Sequence, residues 1–344
     1  MQWNDTAPAA SSMIHTFRIS YSNRLKKGYF TQSTRNRERH RPWNRIVQQY
    51  RTGRVLGRGS FSIVKEIINI QTGSRYACKI VNKDDMQGRE NMVLNEIRIL
   101  KLLSGGSKNI TTLYDYFESS RNVYICVDLC TGGHLFTRIL KKGHYPESDA
   151  AQLVRSILTD LVYIHSVDVV HRDLKPENLL FRTSAEDADL IITDFGLARV
   201  VSNGAGKESD LLTEICGTQR YMAPEIFKKT GHGKPVDVWA IGVITYLLLS
   251  GNSPFAREDS DVEEKAITSG EYKFEPLADW AHVSKTAQEF IMCCLTMDPN
   301  ERPTAEKCLK HPWSKPVPSS SACGRGACFP ARALIVVLIL SAFT

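Results

Sequence analysis

Two stretches of the 344-residue chain, Ile63 to Ile68 and Tyr76 to Val81, are strand-like and alternate apolar with polar positions, which predicts half-buried strands. From Gln87 to Leu103 the period lengthens, and Leu94, Ile97, Leu100 and Leu103 recur at helical spacing. Val236 to Leu249 is apolar almost all round, the pattern of a helix running through an interior rather than lying on a surface. Leu179 to Phe181 and Leu190 to Ile192 are short apolar runs flanking a polar turn, Thr183 to Ala188, and read as a hairpin. A last apolar run, Ala333 to Leu340, reaches only eleven residues even when extended to Phe343, short of the roughly 20 that span a bilayer.

Within that apolar framework a few polar groups stand out. Asp173, Lys175, Asn178 and Asp194 are pinned between apolar segments, where a buried charge is costly unless it meets an ion, a phosphate or a substrate proton. The hairpin brings Asn178 and Asp194 near each other, and an Asn and an Asp offering oxygens suit Mg²⁺, which keeps waters and substrate phosphates in its shell. Upstream, Arg54 to Leu56 leads into Gly57-Arg58-Gly59-Ser60-Phe61-Ser62 and then into Ile63 and Val64. Strand, glycine turn, strand allows backbone N–H groups to approach phosphate oxygens, and no helix follows as a dinucleotide fold would require. Lys79 lies about twenty residues beyond that turn, among Ala77, Cys78 and Ile80, and Glu96 sits beside the helical stripe. Glu96 is either the partner of Lys79 or a solvated helix acid.

Charge divides the chain. Residues 1–49 hold nine Lys or Arg against two Asp or Glu, and the remaining residues hold thirty-five of each sign, so the net charge of +7 belongs to the N-terminal arm. Arg35, Arg37, Arg39 and Arg41 offer charge to acidic lipid or nucleic acid, but a solvated, disordered arm is the simpler reading and no nucleic acid is expected. Nine cysteines without a C-x-x-C pair, and no signal-peptide pattern at the start, indicate a reduced protein of the cytoplasm, with the nucleus also open to it.

The order of these features resembles the eukaryotic protein kinases: glycine turn, Ala77-Cys78-Lys79, Glu96, the string His171 to Asn178, Asp194-Phe195-Gly196 and Ala223-Pro224-Glu225. Thr131 to Phe136, Cys216-Gly217-Thr218, Gly231 to Asp237 and His311-Pro312-Trp313 resemble the calcium/calmodulin-dependent protein kinase family in particular. The resemblance covers residues 50–314 and implies an α+β, two-lobed kinase fold, with an antiparallel β-rich N-lobe over about 50–129, a hinge near Val127 to Cys130 and a helical C-lobe over about 130–314. Residues 315–344 form a Pro/Ser/Gly-rich linker and apolar tail.

The roles it implies are those of a Ser/Thr kinase using ATP and Mg²⁺. Lys79 holds the ATP phosphates with Glu96 as its ion-pair partner, and Asn178 and Asp194 hold Mg²⁺. Asp173 orients the substrate hydroxyl and accepts its proton, and Lys175 steadies the transferring phosphoryl. The glycine turn from Gly57 through Ile63 covers the nucleotide; Leu56, Val64, Ala77 and Leu180 sandwich adenine; backbone groups of Asp128 and Cys130 bond its edge. Leu100, Leu113, His171 and Phe195 form a stack linking the lobes, and Glu225 pairs with Arg302. Glu177 and Thr218 contact the protein substrate, and Arg172 receives the charge that orders the activation segment.

Departures from the family pattern carry expectations of their own. Gly132-Gly133-His134-Leu135-Phe136 has His134 where the family usually has a Glu that contacts the ribose and a basic substrate residue, so weaker selection for an Arg three residues before the acceptor is expected. In Thr213-Glu214-Ile215-Cys216 the family's phosphorylated Thr appears as Glu214, with Thr213 next door, which predicts basal activity without an upstream kinase. Pro316, Pro318, Gly324, Gly326 and Pro330 break any helix before Ala331, and only Lys315, Arg325 and Arg332 are basic there. The family implies calmodulin as a partner, yet no persuasive calmodulin segment is present, and membrane attachment through the tail, aided by acylation of Cys323 or Cys328, is not favoured. The alternatives are a catalytically weak kinase-fold scaffold or a checkpoint-type kinase; the presence of Lys79, Asp173, Asn178 and Asp194 argues against the scaffold.

Overall fold

The computed structural model describes residues 49–59, 62–86, 88, 90–201 and 212–315. The expectations placed on Ser60, Phe61, the arm before Gln49 and the tail beyond Lys315 lie outside those residues.

Five strands, β1 (Tyr50–Gly59), β2 (Ser62–Asn69), β3 (Arg75–Asn82), β4 (Leu113–Glu118) and β5 (Asn122–Val127), form one antiparallel sheet in the order β1-β2-β3-β5-β4. The register aligns Gly57 with Val64, Val64 with Lys79 and Lys79 with Ile125, so the glycine turn closing β1 on β2 lies across the sheet from the lysine. One face packs Ile67, Cys78, Phe117 and Cys126 into a small core roofed by Tyr50, Tyr76 and Tyr124. The other faces helix α1 (Glu90–Leu103).

Helix α1 starts three residues later than the sequence pattern predicts, after a 3-10 turn at Asp84–Met86. Its buried stripe is Val93, Ile97, Leu100 and Leu103, with Ile99 alongside, and Leu94 points outward at 44% exposure. The helical period was right, and its phase was off by one residue at the N-terminal end. Glu96, only 5% exposed, lies beside that stripe and faces β3.

Below the hinge lie α2 (Leu135–Lys142), α3 (Glu147–Ser166), α4 (Pro224–Lys228), α5 (Pro235–Ser250), α6 (Ser260–Ser269), α7 (Leu277–Trp280), α8 (Lys285–Cys294) and α9 (Ala305–Leu309). Every residue of α5 from Val236 to Leu249 is buried, as its all-round apolarity predicts. Pro235 opens the helix, where its missing N–H costs nothing, and Gly251 closes it at φ +77°, its N–H donating to the Leu247 carbonyl. Midway, a Cβ on Gly242 would come within 2.8 Å of Cys294 and Leu295, so this glycine sets how closely α8 and the residue after it approach. Two two-stranded sheets then build the cleft floor: β6 (Val169–Val170) pairs with β9 (Arg199–Val200), and β7 (Leu179–Phe181) with β8 (Leu190–Ile192), the predicted hairpin.

The Glu225–Arg302 pair is in place, with Nη1 to Oε1 at 2.7 Å and Nη2 to Oε2 at 3.0 Å, both side chains buried. Arg302 also donates to the carbonyls of Thr296 and Pro235, tying α4, α5 and the loop before α9 together. Glu225→Ala should destabilise the domain by about 3 to 5 kcal/mol, because a guanidinium is left buried without its partner. Thermal unfolding should show Tm lower by on the order of 10 °C; Glu225→Ala combined with Arg302→Met should recover part of it.

Candidate active site

The β7–β8 hairpin sets the geometry. Leu179 pairs with Ile192, and Thr193 donates both its N–H and its Oγ1–H to the Asn178 carbonyl at 2.9 Å, so Asn178 and Asp194 emerge from the same end of the hairpin. Asn178 Nδ2 donates to the Asp173 carbonyl at 2.8 Å and to Asp173 Oδ2 at 3.0 Å. Its Oδ1 is thereby left as an acceptor that no described residue engages.

Asp194 sits at φ +58°, a conformation that strains a non-glycine residue and here turns its carboxylate up towards the sheet. Lys79 Nζ lies 2.8 and 3.0 Å from the two oxygens of Glu96 and 3.2 Å from Asp194 Oδ1. Burial alone would lower the Lys79 ammonium, but the two carboxylates outweigh it and hold the lysine charged, above its ordinary value. Lys79 in turn holds the Asp194 carboxyl below its usual range. Glu96 is the ion-pair partner and not a solvated acid, which resolves the alternative that the sequence leaves open. Asp194 Oδ1 also accepts from the Gly196 N–H at 3.3 Å, so its second oxygen and Asn178 Oδ1 remain as two hard oxygen donors, the kind Mg²⁺ takes alongside phosphate oxygens.

Asp173 is the hub of the site. Its Oδ1 accepts from Thr218 Oγ1 at 2.9 Å, its Oδ2 lies 2.9 Å from Lys175 Nζ, and Lys175 also donates to Thr218 Oγ1 at 2.6 Å. A lysine, a threonine hydroxyl and an amide therefore fix the carboxylate, leaving it at the cleft floor to meet an incoming hydroxyl.

The loop bearing Asp173 is itself held. Arg172 adopts φ +68°, and the carboxylate of Asp237, at the start of α5, accepts the N–H of His171 and of Arg172 at 2.9 Å each, with His165 Nε2 at 2.9 Å. The His171 ring packs against Phe195 at 4.8 Å between centroids, the lower contact of the expected stack, and Leu100 and Leu113 belong to the same hydrophobic core as Phe195.

Arg172 is fully buried, and its Nη1 and Nη2 reach Glu214 Oε2 at 3.3 and 3.2 Å. Arg199 Nη2 approaches the same oxygen at 3.6 Å. Thr213 beside it is exposed. Arg199 escapes sequence reading, since an arginine on a two-residue strand carries no motif; only its place opposite Val170, two residues from Arg172, brings it to the site.

The remaining predicted residues surround the cleft. Ala77 is buried, Val64 and Leu180 are half-buried and Leu56 is exposed at 37%, consistent with walls that have one open face. Arg58, Gly59, Ser62 and Ile63 pair at the tip of the β1–β2 hairpin. At the hinge the Asp128 side chain turns inward to accept from the Thr112 N–H and the Tyr114 hydroxyl. His134 bridges backbone-to-backbone with Leu180, and its Nδ1 lies 2.6 Å from the Glu177 carbonyl. A carbonyl only accepts, so His134 carries its proton on Nδ1. One oxygen of Glu177, Oε2, is buried without a hydrogen-bond partner among the described residues.

The protein kinase domain profile matches residues 50–314. The chain belongs to the protein kinase family. It is 54% identical over 268 residues to calcium/calmodulin-dependent protein kinase cmkB of Emericella nidulans, covering 78% of this chain and 66% of that one. Over 265 residues it is 48% identical to calcium/calmodulin-dependent protein kinase type I of Schizosaccharomyces pombe, covering 77% and 78% of the two chains. With the type 1 enzyme of Caenorhabditis elegans the identity is 40% over 272 residues, 78% and 75% of the two. By sequence it is a serine/threonine protein kinase of the calcium/calmodulin-dependent-kinase-like kind, and the kinase domain implies ATP as the phosphoryl donor. It spans about two thirds of the length of the first of these relatives.

Asp173→Asn keeps the bonds to Lys175 and Asn178 within reach but removes the proton acceptor. It should lower kcat by about 10² to 10⁴-fold with KM for ATP nearly unchanged; a parallel rise in that KM would instead place Asp173 in nucleotide binding.

Proposed function

We propose that this chain transfers the γ-phosphoryl of Mg-ATP to Ser and Thr hydroxyls of protein substrates, and that it does so without phosphate on its activation segment. The observation that carries the first part is the anchored carboxylate of Asp173, held by Thr218, Lys175 and Asn178 beside the Lys79–Glu96 pair.

Asn178 Oδ1 and the outer oxygen of Asp194 are the donors that would hold Mg²⁺, which when bound neutralises phosphate charge. Lys79, kept cationic by two carboxylates, attracts the phosphates. Asp173 accepts the proton of the acceptor hydroxyl as that oxygen bonds to the γ-phosphorus and the bond from that phosphorus to the β,γ-bridging oxygen breaks, so that ADP leaves. Lys175, 2.9 Å from Asp173, stabilises charge building on the transferring group. Thr218, bonded to Asp173, narrows the groove, which suits an acceptor on a short side chain.

The second part rests on Glu214. Ordering of this segment normally follows when phosphate meets arginines, and here a built-in carboxylate already bridges Arg172 and Arg199. The relatives are named for calcium and calmodulin. We infer that the segment docked through Glu214 supports turnover without either. His134 has replaced an acid beside Glu177, so selection for Arg three residues before the acceptor rests on Glu177 alone.

Phosphatase-treated protein should phosphorylate a Ser peptide carrying Arg at that position, equally with and without Ca²⁺ and calmodulin, and EDTA should abolish the reaction. Glu214→Ala should lower kcat/KM on the order of tenfold, the worth of hydrogen bonds to a charged group. Inactive dephosphorylated protein, or activity only with calmodulin, would refute the regulatory reading. His134→Glu should raise the preference for Arg over Ala at that peptide position.

A further inference from the structure

The segment that follows Thr218 carries a feature the kinase mechanism does not use. An acceptor hydroxyl must come within hydrogen-bond reach of Asp173, to which Thr218 is bonded at 2.9 Å, so the polypeptide flanking that hydroxyl crosses the residues just after Thr218. These form a 3-10 turn, Gln219–Tyr221, and Arg220 is two residues, at most about 7 Å of chain, from Thr218.

Arg220 is fixed from behind. Its Nε donates to Glu263 Oε2 at 3.1 Å, and Glu263 is a buried carboxylate on α6 that also accepts the Arg257 N–H at 3.4 Å. Gln219 is tied to the same helix, donating to the Ser260 carbonyl at 2.7 Å and accepting from Ser260 Oγ at 3.0 Å. The turn is thus stitched to α6 by two residue pairs, one of them ending on a buried carboxylate.

What distinguishes Arg220 is the end left open. Arg172 and Arg302 are buried with both terminal nitrogens bonded to a carboxylate. Arg220 uses only Nε, its terminal nitrogens bond no described residue, and its side chain is 37% exposed. A guanidinium held on one edge with its fork turned to solvent is preorganised for a carboxylate, because planar N–H pairs match the two oxygens.

We propose that Arg220 is a specificity-determining residue that binds an Asp or Glu side chain of the acceptor polypeptide near the phosphorylated Ser or Thr. The groove is then bipolar, with the acid Glu177 on one part of the path and the base Arg220 on another, and it favours substrates of mixed charge over purely basic ones.

The test is a series of Ser peptides differing only by Glu, Ala or Lys at one position at a time, from four residues before the acceptor to four after it. The readout is the ratio of kcat/KM for Glu over Ala. One position should show a ratio of about 5 to 10, carried by KM, the range expected of a charge-assisted pair at a partly exposed site. In Arg220→Ala that ratio should fall to near 1, and in Arg220→Glu the same position should prefer Lys. Glu263→Gln, which loosens the tether while keeping the guanidinium, should give an intermediate ratio. Peptide affinity by fluorescence anisotropy in Mg-ADP makes the same comparison without turnover, so an inactive preparation still decides it. No position with a ratio above 1, a ratio that survives Arg220→Ala and Arg220→Glu, or equal losses for all peptides in both variants would overturn the proposal.

Discussion

The catalytic loop depends on one buried carboxylate. Asp237, 1% exposed at the first turn of the central helix, accepts two backbone N–H groups from His171 and Arg172 and a third bond from His165. Burial pushes its carboxyl up, yet these bonds outweigh burial and hold it below the ordinary value, so it is an anion in the folded protein. Arg172 at φ +68° costs about 1 to 3 kcal/mol, and bonds to a charged acceptor worth about 1.5 to 3 kcal/mol each offset it. The strained turn is what sends the Arg172 side chain towards Glu214 while Asp173 faces the cleft. Because α5 is buried throughout, the loop inherits the rigidity of the least deformable element in the lobe.

Arg302, Lys79 and Arg172 are paired in three different ways, and the difference is function. Arg302 is buried with a buried partner, a structural tie. Lys79 has one buried partner, Glu96, and one half-exposed partner, Asp194, so it is neutralised from behind and open to phosphate in front. Arg172 is buried while its partner Glu214 is 61% exposed, so the counter-charge of a buried group sits on a surface segment. Only in the last case does the position of a loop decide whether a buried charge is paired.

Much of this was legible in the sequence because the chemistry sits in short strings. The hairpin from Leu179 to Ile192, the buried helix from Val236, the place of Thr218 by Asp173 and the pairing of Glu225 with Arg302 follow from spacing and resemblance, and each is present. What escaped is set by orientation and by partners distant in sequence. Helical spacing does not distinguish Val93 from Leu94 at the first turn of α1, since both fit a stripe of its width, and packing against the sheet chose Val93. Arg199 reaches Glu214 only because β6 and β9 pair. Asp237 reads as one residue of a motif until its partners, 65 and 66 residues upstream, are seen. Arg220 reads as a surface charge until Glu263 is found behind it.

Glu214 also sets a limit on what a built-in charge can do. Arg172 and Arg199 both converge on one oxygen, Oε2, at 3.2 to 3.6 Å. A carboxylate has two oxygens and one charge, and with both guanidinia on the same atom neither obtains a bidentate pair. A phosphate would present three oxygens and nearly twice the charge. The segment is therefore ordered by a weaker tie than phosphate makes, and the energy that separates its docked arrangement from others is correspondingly small.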